Sequence, residues 1–256
     1  MEKEGKYIYC IIETMQERNF GPIGIGGRGD EVLTIGYGDL SMVVSNHPVT
    51  KFVVSRENLL AHEKVIEEVM KEFESILPVR FGTVAPSADE IRNLLDRRNS
   101  EFRNLLKDMN NKVELGIKGV WKNMEIIFRE IAVEDKDIEH VKRKMERSKD
   151  QKDRKTTIDI GRMVEKALQK KKEAEAETIV NVLRKASIDY RLNRTVLEEM
   201  FINAAFLIDR GREKEFDNIL EDLGDRYHDR TEFRYTGPFP VFNFVNIVIY
   251  PEEWEK

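Results

Sequence analysis

The order of strand-like and helix-like segments in residues 113–245 limits the fold more than any other feature. "VELGIKGVW" (Val113–Trp121) has strand character. A long, very polar helical stretch follows, from Glu134 to Ala186. Then come the strand-like "IDYRLNR" and "MFINAAFLIDR", the helical "REKEFDNILEDLGDRYHD", and a closing strand in "EFRYTGPFPVFNFVNIVIY". Strand, helix, strand, strand, helix, strand is the split βαβ, or ferredoxin-like, order. "MEIIFREI" (Met124–Ile131) reads as more strand, either a bend or a hairpin with the segment before it. Ile160, Gly161 and Arg162 interrupt the polar stretch, so two helices joined there are expected.

The first half reads strand, loop, strand, strand, helix, strand, helix. "YIYCII" (Tyr7–Ile12) is the first strand. "VLTIGYGDLSMVVS" gives two strands around Tyr37, Gly38 and Asp39. Ser55 can cap the next helix, whose expected apolar stripe is Leu59, Ile66, Val69, Met70 and Phe73. This is the same order, with a Gly-rich loop in place of the first helix. The expected class is α+β in two domains. Residues 1–110 form an N-terminal α+β domain. Residues 111–256 form a related ferredoxin-like domain with long charged helices at about 134–186 and a Pro/Phe-rich tail.

Several chemistries are weighed and set aside. The net charge of −5 gives no general pull toward nucleic acid or anionic lipid. The single cysteine, Cys10, excludes an internal disulfide or a multi-Cys metal site, and the four histidines show no metal-ligand spacing. No run of about 18 apolar residues is present, and the N-terminus lacks the apolar core of a signal peptide, so a cytoplasmic protein without a membrane span is expected. "GIGGRGDE" leads into a strand rather than a helix N-terminus, so it reads as a flexible connection and not a phosphate cradle. His62, on the stripe between Leu59 and Ile66, reads as a packed imidazole with one hydrogen bond. The run Lys142–Lys155 holds eight Lys/Arg against three Asp/Glu but no aromatic residue for stacking, so it reads as a solvated helix face. No catalytic residue, metal ligand or cofactor site is assigned.

"LPVRFGTVAPSADEI" (Leu77–Ile91) is the most informative stretch. Leu77, Val79 and Phe81 alternate with Pro78, Arg80 and Gly82, a strand period, and Ser87 with Glu90 forms a capping box. An always-charged guanidinium in an apolar run must be solvated or paired. Glu63 or Glu67 can pair Arg80 only if their helix covers its face; otherwise Arg80 is open to a partner. In the tail, Phe239, Phe242 and Phe244 surround Pro240. Core packing and an exposed contact patch are both open for these rings.

Together, "YIYCII", "GDLSMVVS", "ENLLAHEKVIEEVM", "ILPVRFGTV", "VELGIKGVW" and "YTGPFPVFNFV" resemble, in this order, the gas vesicle protein F/L family (GvpF/GvpL). The resemblance spans about Tyr7 to Val245. Phe239 and Val241 depart from a tail pattern usually richer in Pro and Trp. The resemblance implies a non-enzymatic accessory protein for gas vesicle assembly. It implies contact with the small hydrophobic shell protein and with other accessory proteins, no cofactor, and two α+β domains. The candidate contact residues are Arg80, Phe239, Phe242 and Phe244. The alternative is a regulatory protein that binds a small molecule near Gly21–Gly29, with an RNA binder on the same fold behind it.

Overall fold

The computed structural model describes residues 4–49, 54–135, 138, 140 and 154–250. The chain divides into two compact units, residues 1–114 with 238–256, and residues 115–237. The tail, assigned from sequence to the second domain, thus belongs to the first unit.

In the first unit β1 (Glu4–Glu13) is the central strand. Tyr7 to Ile12 are all fully buried, so both of its faces are covered. It pairs antiparallel with β4 (Leu40–Pro48) on one side. On the other side it pairs with β5 (Ile76–Pro78) and β6 (Val84–Ala85). The sheet continues from β4 to β3 (Val32–Tyr37) and the short β2 (Asn19–Gly21), in the order β2-β3-β4-β1-β5. Without β2 this is a ferredoxin-like order with a loop as the first crossover, as the sequence suggests. The loop is anchored, not free. Ile25 is fully buried, its N–H donates to the Tyr9 hydroxyl at 2.8 Å, and Gly24 N–H reaches the Asp30 carbonyl at 3.0 Å.

Three helices pack on this sheet: α1 (Arg56–Met70), α2 (Ala88–Arg97) and α3 (Asn99–Asp108). Ser55 and Ser87 start α1 and α2 as expected, their hydroxyls accepting the N–H groups of Asn58 and Glu90. The buried stripe of α1 is His62, Val65, Ile66 and Val69. Leu59, expected in it, is 39% exposed. The stretch after β5 is shorter as a strand than its alternation suggests. β5 ends at Pro78, and Val79, whose N–H donates to the Tyr9 carbonyl at 2.9 Å, forms an isolated parallel bridge with Ile247 of the tail.

The second unit has the sheet order β10-β7-β9-β8. The strands are β7 (Lys112–Trp121), β8 (Asp189–Leu192), β9 (Met200–Asp209) and β10 (Thr231–Phe239). Taken as four strands in chain order this is 4-1-3-2, the ferredoxin-like arrangement. Two expectations fail here. Met124–Glu134 is a helix, α4, because the Asn123 side chain accepts the N–H groups of Glu125 and Ile126. Its buried residues, Ile127 and Ile131, are one helical turn apart. Arg154–Leu183 is a single helix, α5, running through Gly161. One glycine costs a helix only about 1 kcal/mol, and the stripe Leu168, Ala176, Ile179, Val180 and Leu183 is buried in the unit's core. The basic residues 142–153 lie outside the described residues. Helix α6 (Glu213–Tyr227) buries Phe216, Leu220 and Leu223.

Charges fasten this unit as well. Arg230 grips the Glu130 carboxylate of α4 with two hydrogen bonds (2.7 and 2.8 Å) and reaches Glu175 of α5 at 2.6 Å. The Trp121 indole N–H donates to the same Glu175 at 2.6 Å.

Candidate functional site

A cleft of about 470 Å³ lies wholly within the first unit. Leu59, His62, Glu63 and Glu67 of α1 form one wall; Pro78, Arg80 and Phe81 form a second. Glu114 and tail residues from Phe239 to Ile247 complete it. That volume lies within the ordinary range for ligand sites, about 300–1,000 Å³. Among the described residues, no Ser, Thr or Cys lines it.

The tail reaches the cleft because three contacts hold it. Glu114 accepts the main-chain N–H of Asn243 at 2.8 Å and its side-chain amide at 2.5 Å. Arg98 donates to the Val248 carbonyl at 3.1 Å, and Ile247 bridges Val79. The residues buried by this docking are Val241, Val245 and Ile247. The phenylalanines are not: Phe242 is 38% exposed, and Phe239 and Phe244 are half-buried. Burial pushes the Glu114 carboxyl above the usual carboxylate range, with the Asn243 hydrogen bonds pulling the other way.

His62 forms the floor. Its ring stacks on Tyr9 at 5.5 Å, meets Phe81 edge-on at 5.5 Å, and lies 6.4 Å from the Phe242 ring. Nδ1 is 3.0 Å from the Tyr7 hydroxyl, which also accepts the Gly82 N–H at 3.0 Å. Burial lowers the imidazole pKa to about 4, opposed by the Val79 main chain, so the ring is neutral at pH 7. The packed histidine with one hydrogen bond is what the helical stripe suggests. Its place on a cleft is not legible there, because Phe81 and Phe242 arrive from distant parts of the chain.

Arg80 is exposed on the cleft wall, and among the described residues no carboxylate pairs with its guanidinium. Glu63 and Glu67 line the same cleft without reaching it. The fold therefore brings Arg80, Phe239 and Phe242 together and leaves Phe244 off the cleft. The Gly21–Gly29 loop, where a small-molecule site was the alternative expectation, contributes nothing to it. Among the described residues, no group of three or more His, Cys, Asp or Glu could hold a metal, and no helix is long and apolar enough to cross a membrane.

Residues 5–246 match the sequence profile of the family described as gas vesicle synthesis protein GvpL/GvpF. The chain belongs to this family. Gas vesicle protein F1 of Halobacterium salinarum is 27% identical over 252 residues, 98% of this chain and 97% of that protein. Gas vesicle protein F of Dolichospermum flosaquae is 29% identical over 199 residues, 77% of this chain and 80% of that protein. The crystal structure of the gas vesicle protein GvpF from Anabaena sp. PCC7120 superposes with a TM-score of 0.81, at 24% identity, over 96% of this chain and all of that one. The corresponding structure from Microcystis aeruginosa gives 0.77 at 23% identity. The two structures establish the fold. Membership in the GvpL/GvpF family establishes a gas vesicle accessory role.

Proposed function

We propose that this chain is a gas vesicle assembly protein that holds the small hydrophobic shell protein at the cleft of its first unit, together with other accessory proteins, and is gas vesicle associated. The observation that carries this reading is the unpaired Arg80 guanidinium beside Phe239 and Phe242 on an apolar cleft. Exposed apolar strand edges pair freely, so a shell subunit needs a partner that covers apolar surface before assembly. Aromatic rings and arginine are the residue types that dominate contact energies. The experiment is capture of the purified shell protein by wild type and by Arg80→Ala, Phe239→Ser and Phe242→Ser, each checked for folding. The cleft variants lose capture by about tenfold, while Phe244→Ser, off the cleft, loses little. Equal capture by all folded variants removes the cleft from this role.

A further inference from the structure

Three exposed charges border the cleft without partners of their own. Glu63 and Glu67 lie one helical turn apart on the α1 wall, and Arg80 lies on the wall that follows β5. Among the described residues, neither carboxylate makes an ion pair, and nor does the guanidinium. The third carboxylate, Glu114, is engaged by Asn243. The surface that these charges border is largely apolar. Leu59 is 39% and Phe242 38% exposed, and Phe81 and Phe239 are half-buried.

This pattern narrows what the cleft can take. Like charges four residues apart on a helix repel, so Glu63 and Glu67 favour a cation beside them. The Arg80 guanidinium is always charged and matches a carboxylate. A small ion would answer one sign and leave the rings uncovered. A purely apolar segment would cover the rings and take water from the charges without replacing it, which is costly. A segment with an apolar centre, a base on one side and an acid on the other answers all of them.

We propose that the cleft docks a short amphipathic segment of a partner protein by charge complementarity across an apolar contact. Its apolar side chains cover Leu59, Phe81 and Phe242, a lysine or arginine meets Glu63 and Glu67, and a carboxylate meets Arg80. The opposite signs on the two walls fix which way the segment lies, since the reversed placement sets like charges against each other. This rests on reading the cleft as a protein contact, and adds the charge pattern that the partner must carry.

The test uses the full chain and three capped peptides of equal apolar content. They are acetyl-Lys-Leu-Phe-Leu-Glu-amide and its forms with Lys at both ends or Glu at both ends. At low salt, wild type should bind the mixed peptide about threefold to tenfold more tightly than either other, the worth of one partly exposed ion pair. Added salt should shrink that gap. Glu63→Lys combined with Glu67→Lys should turn the preference to the acidic peptide, and Arg80→Glu to the basic one. All three positions are exposed, so these reversals leave the fold intact, which circular dichroism checks. Equal binding of the three peptides by wild type overturns the proposal, as does a ranking that the reversals leave unchanged. No binding of any peptide at millimolar concentration overturns it too. Self-association of the chain that Arg80→Glu abolishes also overturns it, in favour of a second copy on the cleft. The two readings separate cleanly. If the peptides follow the charge pattern but the shell protein is not captured, the proposed function falls and the site stands. If the peptides show no charge preference while Phe242→Ser still loses the shell protein, only this inference falls.

Discussion

Glu114 and Asn243, far apart in sequence, are joined by two hydrogen bonds to a single buried carboxylate. Asn243→Ala removes the side-chain half of this pairing and should cost about 1–3 kcal/mol in urea unfolding at pH 7, the penalty for a poorly satisfied buried charge. Amide exchange at Val245 and Ile247 should accelerate with it. The folded-state pKa of Glu114 is raised above its ordinary 4.5, so its contribution favours folding at low pH and is lost as pH rises through the raised value. Unchanged exchange at both amides would show that the tail is held elsewhere.

Glu130 responds to pH in the opposite sense. The Arg230 guanidinium first, and Lys171 after it, hold its pKa down to about 2. A depressed folded pKa gives stability that is present above about pH 4.5 and lost as pH falls toward 2. After solvent screening of a partly exposed pair, the loss should be on the order of 1–2 kcal/mol. Urea midpoints at pH 7, 4 and 2 should show it in wild type, and Arg230→Ala should flatten that part of the profile.

Gly119 sits where β7 lies close against β9. A Cβ there would fall 2.6 Å from Ile202 Cγ2 and 2.8 Å from the Phe201 ring. Gly119→Ala should therefore destabilise by about 1–3 kcal/mol, the usual cost of overpacking. Gly161→Ala, which meets open space in α5, should stabilise by up to about 1 kcal/mol. A thermal melt of the two variants beside wild type checks both signs.

Cys10 is fully buried on the central strand, and burial alone pushes its thiol well above the ordinary range. Since only the thiolate reacts, a thiol reagent should leave it untouched in the native protein and label it at a rate set by unfolding. Rapid labelling without denaturant would contradict the packing of β1.

Local signals determined much of the architecture. The apolar run Tyr7–Ile12, the caps Ser55 and Ser87, and the strand–helix order of both halves depend on neighbours within a turn or a strand, so one sequence suffices to read them. The errors came where local signals compete. "MEIIFREI" is rich in β-favouring residues, yet Asn123 caps it and Ile127 and Ile131 bury one face of a helix. Gly161 suggests a break, yet core packing along α5 outweighs its small cost. The cleft was decided by tertiary structure alone. Nothing near Arg80 says that Glu63 and Glu67 will stop short of it. Nothing near His62 says that Phe242, 180 positions later, will close over its ring. Such contacts depend on where a distant segment docks, and Glu114, Arg98 and Val79 set that docking only once the sheet has formed.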